Sequence, residues 1–413
     1  MQPKQPATAA REPLFPPSNH FDLAWAQEWM EGLDLWIDTH GLSGYDPFDI
    51  KQHPWIRAAQ PHAFLRKSTT ALCDTFPEAS RRWLGVAPTE NPKAYALTAL
   101  GKFRLFELTG RASLRDQAVH CLDWLLRHGA SGHSGLCWGY PFHIAAKGLN
   151  SQAHTPVLVI GSIAGEALLE AHRLTGEARF LDAAVSIGEF ILKDLPRIPG
   201  ENGTHCFAYT PTDRRRVHNA NLLGAEHLYR LHRATGSAHY IEAAAPAVAY
   251  SLAHQREDGA WSYGEFAEGD PFEAGLLALV DHHHTGFVLR SLHTIHAITG
   301  RDDAIQALQR GFNYYRTLIQ PDGMPVNAYA KYPVDIHACA EGVLCPNVLQ
   351  DVVLPARKYK SHVLRWSYWH MRNHEDNTVY YRKYPFFTSK LVFPRWGMAW
   401  MYRAVAEYLY QNR

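Results

Sequence analysis

Four stretches of this chain end in the same dipeptide. Thr-Gly closes GKFRLFELTG at Gly110, GEALLEAHRLTG at Gly176, GAEHLYRLHRATG at Gly236 and VLRSLHTIHAITG at Gly300, at spacings of 66, 60 and 64 residues. Glycine takes positive φ without a Cβ clash, so each marks the end of a helix. A second helical segment follows at once in every case: RASLRDQAVHCLDWLLRHG, EARFLDAAVSIGEFILKDL, SAHYIEAAAPAVAYSLAHQ and RDDAIQALQRGFNYYRTLI. Two helices joined by so short a turn must run antiparallel. A period of this length predicts stacked hairpins, each burying its apolar face on its neighbours.

A Gly- and aromatic-rich loop then leads to the next first helix: GLCWGYPFH, THCFAYTP, GAWSYGEF and GMPVNAYAKYP. DIHACAEGVLCPNVL with ARKYKSHVLRWSYWHMRN reads as a fifth hairpin. RWGMAWMYRAVAEYLYQ is a further first-type helix, and FDLAWAQEWMEGLDLWIDTHG, near the N-terminus, can supply its partner. Six hairpins with so apolar a last helix suit a closed ring, because an open array needs polar caps. The predicted fold is all-α: an (α/α)6 toroid with short β-like loops at one mouth. It is expected as one domain over 21–413, with 42–90 an irregular wrapping segment interrupted by Pro54, Pro61, Pro77 and Pro88, and 1–20 disordered or extended. First helices rich in small and apolar residues all round are predicted to form the inner ring. Second helices, which carry a charged face, form the outer one.

If the inner helices are parallel, their N-termini open on one side, and polar clusters far apart in sequence must meet there. Before or within these first turns stand Asn150, Gln152 and His154; Arg214–Arg216, His218, Asn219 and Asn221; Asp281 and His282–His284; Asp335, His337 and Glu341; and Tyr384, Lys390, Arg395 and Trp396. The preceding loops add Trp138, Tyr140, His143, Tyr209, Trp261, Tyr263, Glu265 and Tyr329. Consecutive helical positions point about 100° apart, so one or two of His282–His284 can line a cavity. Asp281, Asp335 and Asn219 also serve as N-caps. This mouth explains where an excess of 25 His, 20 Tyr and 12 Trp would sit. The catalytic candidates are Asp335, His337, Asp281, His284 and Glu341. The substrate-binding candidates are His218, Asn219, Asn221, His283, Trp138, Tyr140, Trp261, Tyr263, Tyr384, Lys390, Arg395 and Trp396.

The charge balance, 41 Lys and Arg against 40 Asp and Glu, gives no footprint for nucleic acid or an anionic membrane. The polar, Pro- and Ala-rich segment Met1–Pro17 has no apolar stretch of the kind a secretory signal carries, and no apolar run anywhere is long enough for a membrane span. Six scattered cysteines without a CxxC pair suit a reducing cytoplasm. No P-loop or dinucleotide fingerprint is present, so no cofactor is expected. Asp281, His283, His284, His337 and Cys339 lack a recognised metal-ligand spacing, and no metal is expected. A homodimer is compatible with this composition.

The hairpin period, with RVHNANLLGA, DGAWSYGE, DHHHTGFVL, YPVDIHACAEG and YYRKYPFFTSKLVFPRWGMAWM, resembles the six-hairpin glycosidase superfamily over roughly residues 90–413. That group includes unsaturated glucuronyl hydrolases, sugar 2-epimerases and the helical domains of uronate lyases. The resemblance implies a carbohydrate-active enzyme of a polysaccharide pathway that takes an oligosaccharide or polysaccharide substrate. QREDGAW (255–261) also fits the Q-x3-G-x-W motif of terpene cyclases, a loop stabiliser, but their acidic run is absent. Glycoside hydrolysis, placed first, needs two carboxyl groups roughly 5–9.5 Å apart; Asp281, Asp335, Glu341 and Glu265 are available. Lyase or epimerase chemistry needs a His or Tyr base with groups that stabilise the developing negative charge. A non-catalytic glycan-binding toroid is the remaining alternative.

Overall fold

In the computed structural model of the chain, residues 14–15, 21–59, 62–146, 149–266 and 277–413 are described. Except for Leu14 and Phe15, the predicted disordered or extended segment 1–20 lies outside them. The first helices are α5 (Pro92–Thr109), α7 (Leu158–Thr175), α9 (His218–Thr235), α11 (His282–Thr299), α13 (Ile336–Leu349) and α15 (Ala399–Gln411). Each packs on the next, and α15 returns to pack on α5, closing the ring. Around it lie α6 (Ala112–Arg127), α8 (Ala178–Lys193), α10 (His239–Ala253), α12 (Asp302–Tyr315) and α14 (Ala356–His370). The sixth outer position belongs to α1 (Phe21–His40), which packs on α14 and α15. The architecture is an all-α (α/α)6 toroid.

Local chemistry explains the element ends. The four Thr-Gly glycines take φ of 70–75° and return their N–H groups to the carbonyls of Phe106, His172, His232 and His296. At the other end, α5 starts on an Asn91 cap with Pro92 in the first turn, where a missing N–H costs nothing. Asp281 caps α11 and Asp335 caps α13. The connecting loops form small antiparallel pairs at this mouth. β1 (Arg216–Val217) pairs with β2 (Gly264–Glu265), and β3 (Val334–Asp335) with β4 (Arg382–Lys383) and on to β5 (Thr388–Ser389).

The segment 42–90 contains three short helices, α2 (Pro54–Ala59), α3 (Ala63–Thr75) and α4 (Pro77–Trp83). It is tied to the ring through Asp46, which accepts two hydrogen bonds from Arg395. A buried cluster of Ile50, Ile56, Cys73 and Val86 forms its own small core.

Below the N-terminal turns, the inner helices are cross-linked by ion pairs: Arg403 with Glu166, Arg230 with Glu166, Arg104 with Glu170 and Glu407, and Arg290 with Glu341. Close approach of α11 and α13 depends on Gly286, whose added Cβ would lie 2.3 Å from Glu341 Cγ. Gly286→Ala is therefore expected to lower stability by about 1–3 kcal/mol through overpacking. Chemical denaturation checks this, and an unchanged midpoint would mean that the two helices slide apart freely.

Candidate functional site

The mouth of the ring holds a cavity of about 260 Å³. Every inner unit contributes to its wall. Lys93 comes from α5, Val159 from α7, Asn219 from α9, Asp281, His283, His284 and Phe287 from the start of α11, and His337 from α13. Trp396 stands just before α15. The loops add Tyr140, Tyr209, Arg215 and Tyr263, and the wrapping segment adds Phe48. Residues more than 300 positions apart thus meet because parallel helices start in one plane.

Three histidines dominate one side. His283 stacks on His337 with ring centroids 4.5 Å apart and planes 19° from parallel. His337 also meets Trp396 edge-on at 4.6 Å and Trp400 at 4.6 Å. It is buried, and neither ring nitrogen has a hydrogen-bond partner. His284 is oriented differently: its Nδ1 lies 2.5 Å from Asp281 Oδ2, and its ring rests 4.5 Å from Tyr263. Asp281 Oδ1 accepts the His284 backbone N–H at 2.8 Å and lies 3.5 Å from His283 Nδ1. One carboxylate thus caps the helix and orients a catalytic-type imidazole. His282 points away, with Nδ1 3.1 Å from Tyr315 Oη.

Burial pushes His337 well below 6.5, and His283, Lys93 and Arg395 add to the effect. His283 is pushed down to about 4 by burial, with Asp281 opposing. Burial raises the Asp281 carboxyl, but His283 and His284 outweigh it and hold it below its usual range. His283 and His337 are therefore neutral near pH 7 and fit to accept a proton. If either is the base, the acid limb of kcat/KM should lie below 6.5, near 4 for His283; a limb at or above 6.5 would point to a different group. The same depression acts on stability. Between 6.5 and the folded values the unfolded chain binds more protons, so these rings stabilise the fold above 6.5 and progressively less as pH falls below it.

Asp281, His283 and His284 offer three ligand-type atoms within 4.8 Å of one another, the only such group of three among the described residues. Two of those three groups already satisfy each other through the Asp281–His284 hydrogen bond.

The other candidates fall into distinct environments. Tyr140, Tyr263, Asn219 and Trp396 face the cavity, and Asn219 Oδ1 has no partner. Asp335 lies under it: Oδ1 accepts from Trp396 Nε1 at 2.7 Å and Oδ2 from Arg382 Nε at 2.8 Å. Arg395 is buried behind Trp396 and Tyr140, 4.8 Å and 5.2 Å from their rings. Glu341 is fully buried against Arg290, outside the cavity lining. His218 is bonded to Ser251 and Glu265. Asn221 accepts from the Phe207 N–H and donates to Ala247 O. Trp138 donates to Leu125 O and Trp261 to Ser251 O, so both indoles fasten loops to outer helices. Gln255 completes the Q-x3-G-x-W staple by bonding Gly259 O and Ala307 O. Tyr384 stacks on Phe387, and Lys390 lines a separate outer groove with Phe76 and Glu78.

Sequence reasoning missed Lys93 and Phe48. Lys93 had a signal, since it occupies the first turn of the first inner helix, the position that carries polar groups in the other units. Phe48 had none, because nothing in 42–90 marks its docking site.

No protein-family model matches the chain, and no curated protein does. Solved structures do. Cellobiose 2-epimerase from Spirochaeta thermophila aligns with TM-score 0.61 and 13% identity over 79% of this chain and 87% of its own. An unsaturated glucuronyl hydrolase specific for heparin gives 0.55 at 12% identity, over 78% and 87%. The Lin0763 protein from Listeria innocua gives 0.58 at 11% identity, over 91% and 96%. A D-mannose isomerase, a GH76 alpha-mannanase and a polysaccharide lyase also match. The chain is an (α/α)6 toroid, the fold that the Lin0763 protein shares with these carbohydrate-processing enzymes.

Proposed function

We propose that the protein moves a proton at the carbon beside the carbonyl of an open-chain sugar, as a 2-epimerase or aldose–ketose isomerase. One observation carries this reading: neutral His283 and His337, from two different inner helices, stand face to face at the wall of an aromatic cavity. The ring that takes the C2 proton becomes an imidazolium and can give that proton back, to C1 in isomerisation or to C2 in epimerisation. Trp396, Phe287 and Tyr263 exclude water and present rings to the sugar. Asn219 Oδ1 is free to accept from a sugar hydroxyl. His284, oriented by Asp281, is placed to polarise the carbonyl.

Hydrolysis and uronate elimination are the competing reactions. Hydrolysis needs one carboxyl free to act as acid and another as base or nucleophile. Of the four carboxylates considered, Asp335 is held by Arg382 and Trp396, Glu265 by His218, Glu341 by Arg290, and Asp281 by the ring and backbone of His284. The histidine set therefore supports proton transfer better than bond cleavage. The six free, buried cysteines fit the cytoplasmic setting expected for a reaction on free sugars.

The test is incubation in D2O with glucose, mannose, cellobiose and uronate oligosaccharides, followed by NMR. Deuterium at C2 of an epimeric aldose, or at C1 of a ketose, is expected. New reducing ends alone would establish hydrolysis instead, and a new unsaturated product would establish elimination.

A further inference from the structure

Lys93 is a part of the cavity wall that proton transfer at C2 does not use. It sits in the first turn of α5 and is 5% exposed. Its Nζ donates to Tyr140 Oη at 2.8 Å, and among the described residues no carboxylate lies within ion-pair reach. The neighbouring cations are differently placed. Arg395 takes both oxygens of Asp46, and Arg215 is paired with Asp213 at 2.5 Å. Their carboxylates are engaged, and Asp46, the acid whose charge reaches Lys93, is already committed to Arg395, so the buried amine has no counter-charge of its own. Burying such a charge is costly unless a counter-charge arrives.

We propose that the Lys93–Tyr140 corner is the subsite for an anionic substituent, carboxylate or phosphate, on the sugar whose carbonyl end meets His337. This rests on the proton-transfer reading of the cavity and adds the substrate class. The groups facing Lys93 define what binding does to it. Burial and Arg395 push its amine well below 10.5, and Asp46 opposes them. Tyr140 and Tyr209 are raised above 10 by burial and stay neutral, and His283 and His337 are neutral as well. An arriving anion supplies the missing counter-charge and favours the ammonium form, so binding takes up a proton wherever the free amine is deprotonated. The Tyr140 hydroxyl, which Tyr209 also bonds, stands beside Nζ as a second donor.

Calorimetric titration of the whole chain with D-glucuronate, D-glucose 6-phosphate and D-glucose, in two buffers of different ionisation heat, tests this. One of the two anionic sugars should bind at least about tenfold more tightly than glucose, a difference of about 1.4 kcal/mol, with net proton uptake. Preference for glucuronate makes the group a carboxylate, and preference for glucose 6-phosphate makes it a phosphate. Lys93→Met should abolish both preference and uptake. Lys93→Arg, which keeps a charge but cannot titrate, should retain the preference and lose the uptake. Glucose binding as tightly as both anions to the unmodified protein overturns the subsite, and so does an anion preference that survives in Lys93→Met. Binding is read without turnover, so a missing C2 exchange beside an intact anion preference would remove the proton-transfer reading alone.

Discussion

Replacing His337 with Gln should lower deuterium incorporation at C2 by about 10²–10⁴-fold, the span a positioned general acid or base supplies. Gln fills much of the imidazole's volume and cannot relay a proton at neutral pH. His337 is the informative position because it has no hydrogen bond to lose. Its side chain contacts aromatic rings: His283, Phe287, Trp396 and Trp400. A loss of rate with an unchanged unfolding midpoint would therefore report chemistry. Asp335→Asn separates this reading from hydrolysis. It should cost exchange far less, because Asp335 meets the reacting end only through Trp396 and the α13 cap. If Asp335→Asn destroys turnover while His337→Gln retains it, a carboxylate mechanism replaces the one proposed. NMR measurement of C2 deuterium for both variants settles the order.

Asp46→Ala should destabilise the protein by about 3–5 kcal/mol, the cost of leaving one member of a buried ion pair alone. Arg395 is 2% exposed and has both its Asp46 contacts from one side. The same carboxylate accepts the Phe48 N–H at 3.1 Å and so shapes the loop that carries Phe48 to the cavity. Equilibrium denaturation should show the loss. Binding of any sugar should weaken with it, since Phe48 packs edge-on against Trp396 at 5.5 Å. A small effect on stability would mean that Arg395 reaches water once its partner is gone. Retained sugar binding would mean that the wrapping segment plays no part in the site.

The Thr-Gly period was legible because its physics is local. A glycine in the left-handed conformation ends a helix wherever it stands, and the residues after it begin the return helix. The ring order followed from counting those hairpins. Asp281 and Asp335 were legible as both caps and mouth residues, since an N-cap is by definition at the opening of its helix. The 100° step limited the cavity-lining members of His282–His284 to one or two, and the structure made them His283 and His284, with His282 turned to Tyr315. Glu341 was misleading for a clear reason. It lies near the N-terminus of α13 but one turn too deep, where the ring closes on itself and Arg290 of α11 is waiting. Trp138 and Trp261 sit in the right loops with their indoles turned outward to helix carbonyls, a choice of rotamer that no spacing reveals.

By itself, then, the sequence determined the hairpins, their number, the parallel sense of the inner helices and the end at which chemistry could gather. Those follow from helix periodicity and capping, which act over a few residues. Only the tertiary structure decided which side chains became wall and which became strut. It paired Asp46 with Arg395 across 349 residues and stacked His283 on His337. It also engaged Asp335, Glu265 and Glu341 with partners and, among the described residues, left Lys93 without a carboxylate in ion-pair reach. Such pairings depend on distances between groups on different helices, and those distances exist only once the ring has closed.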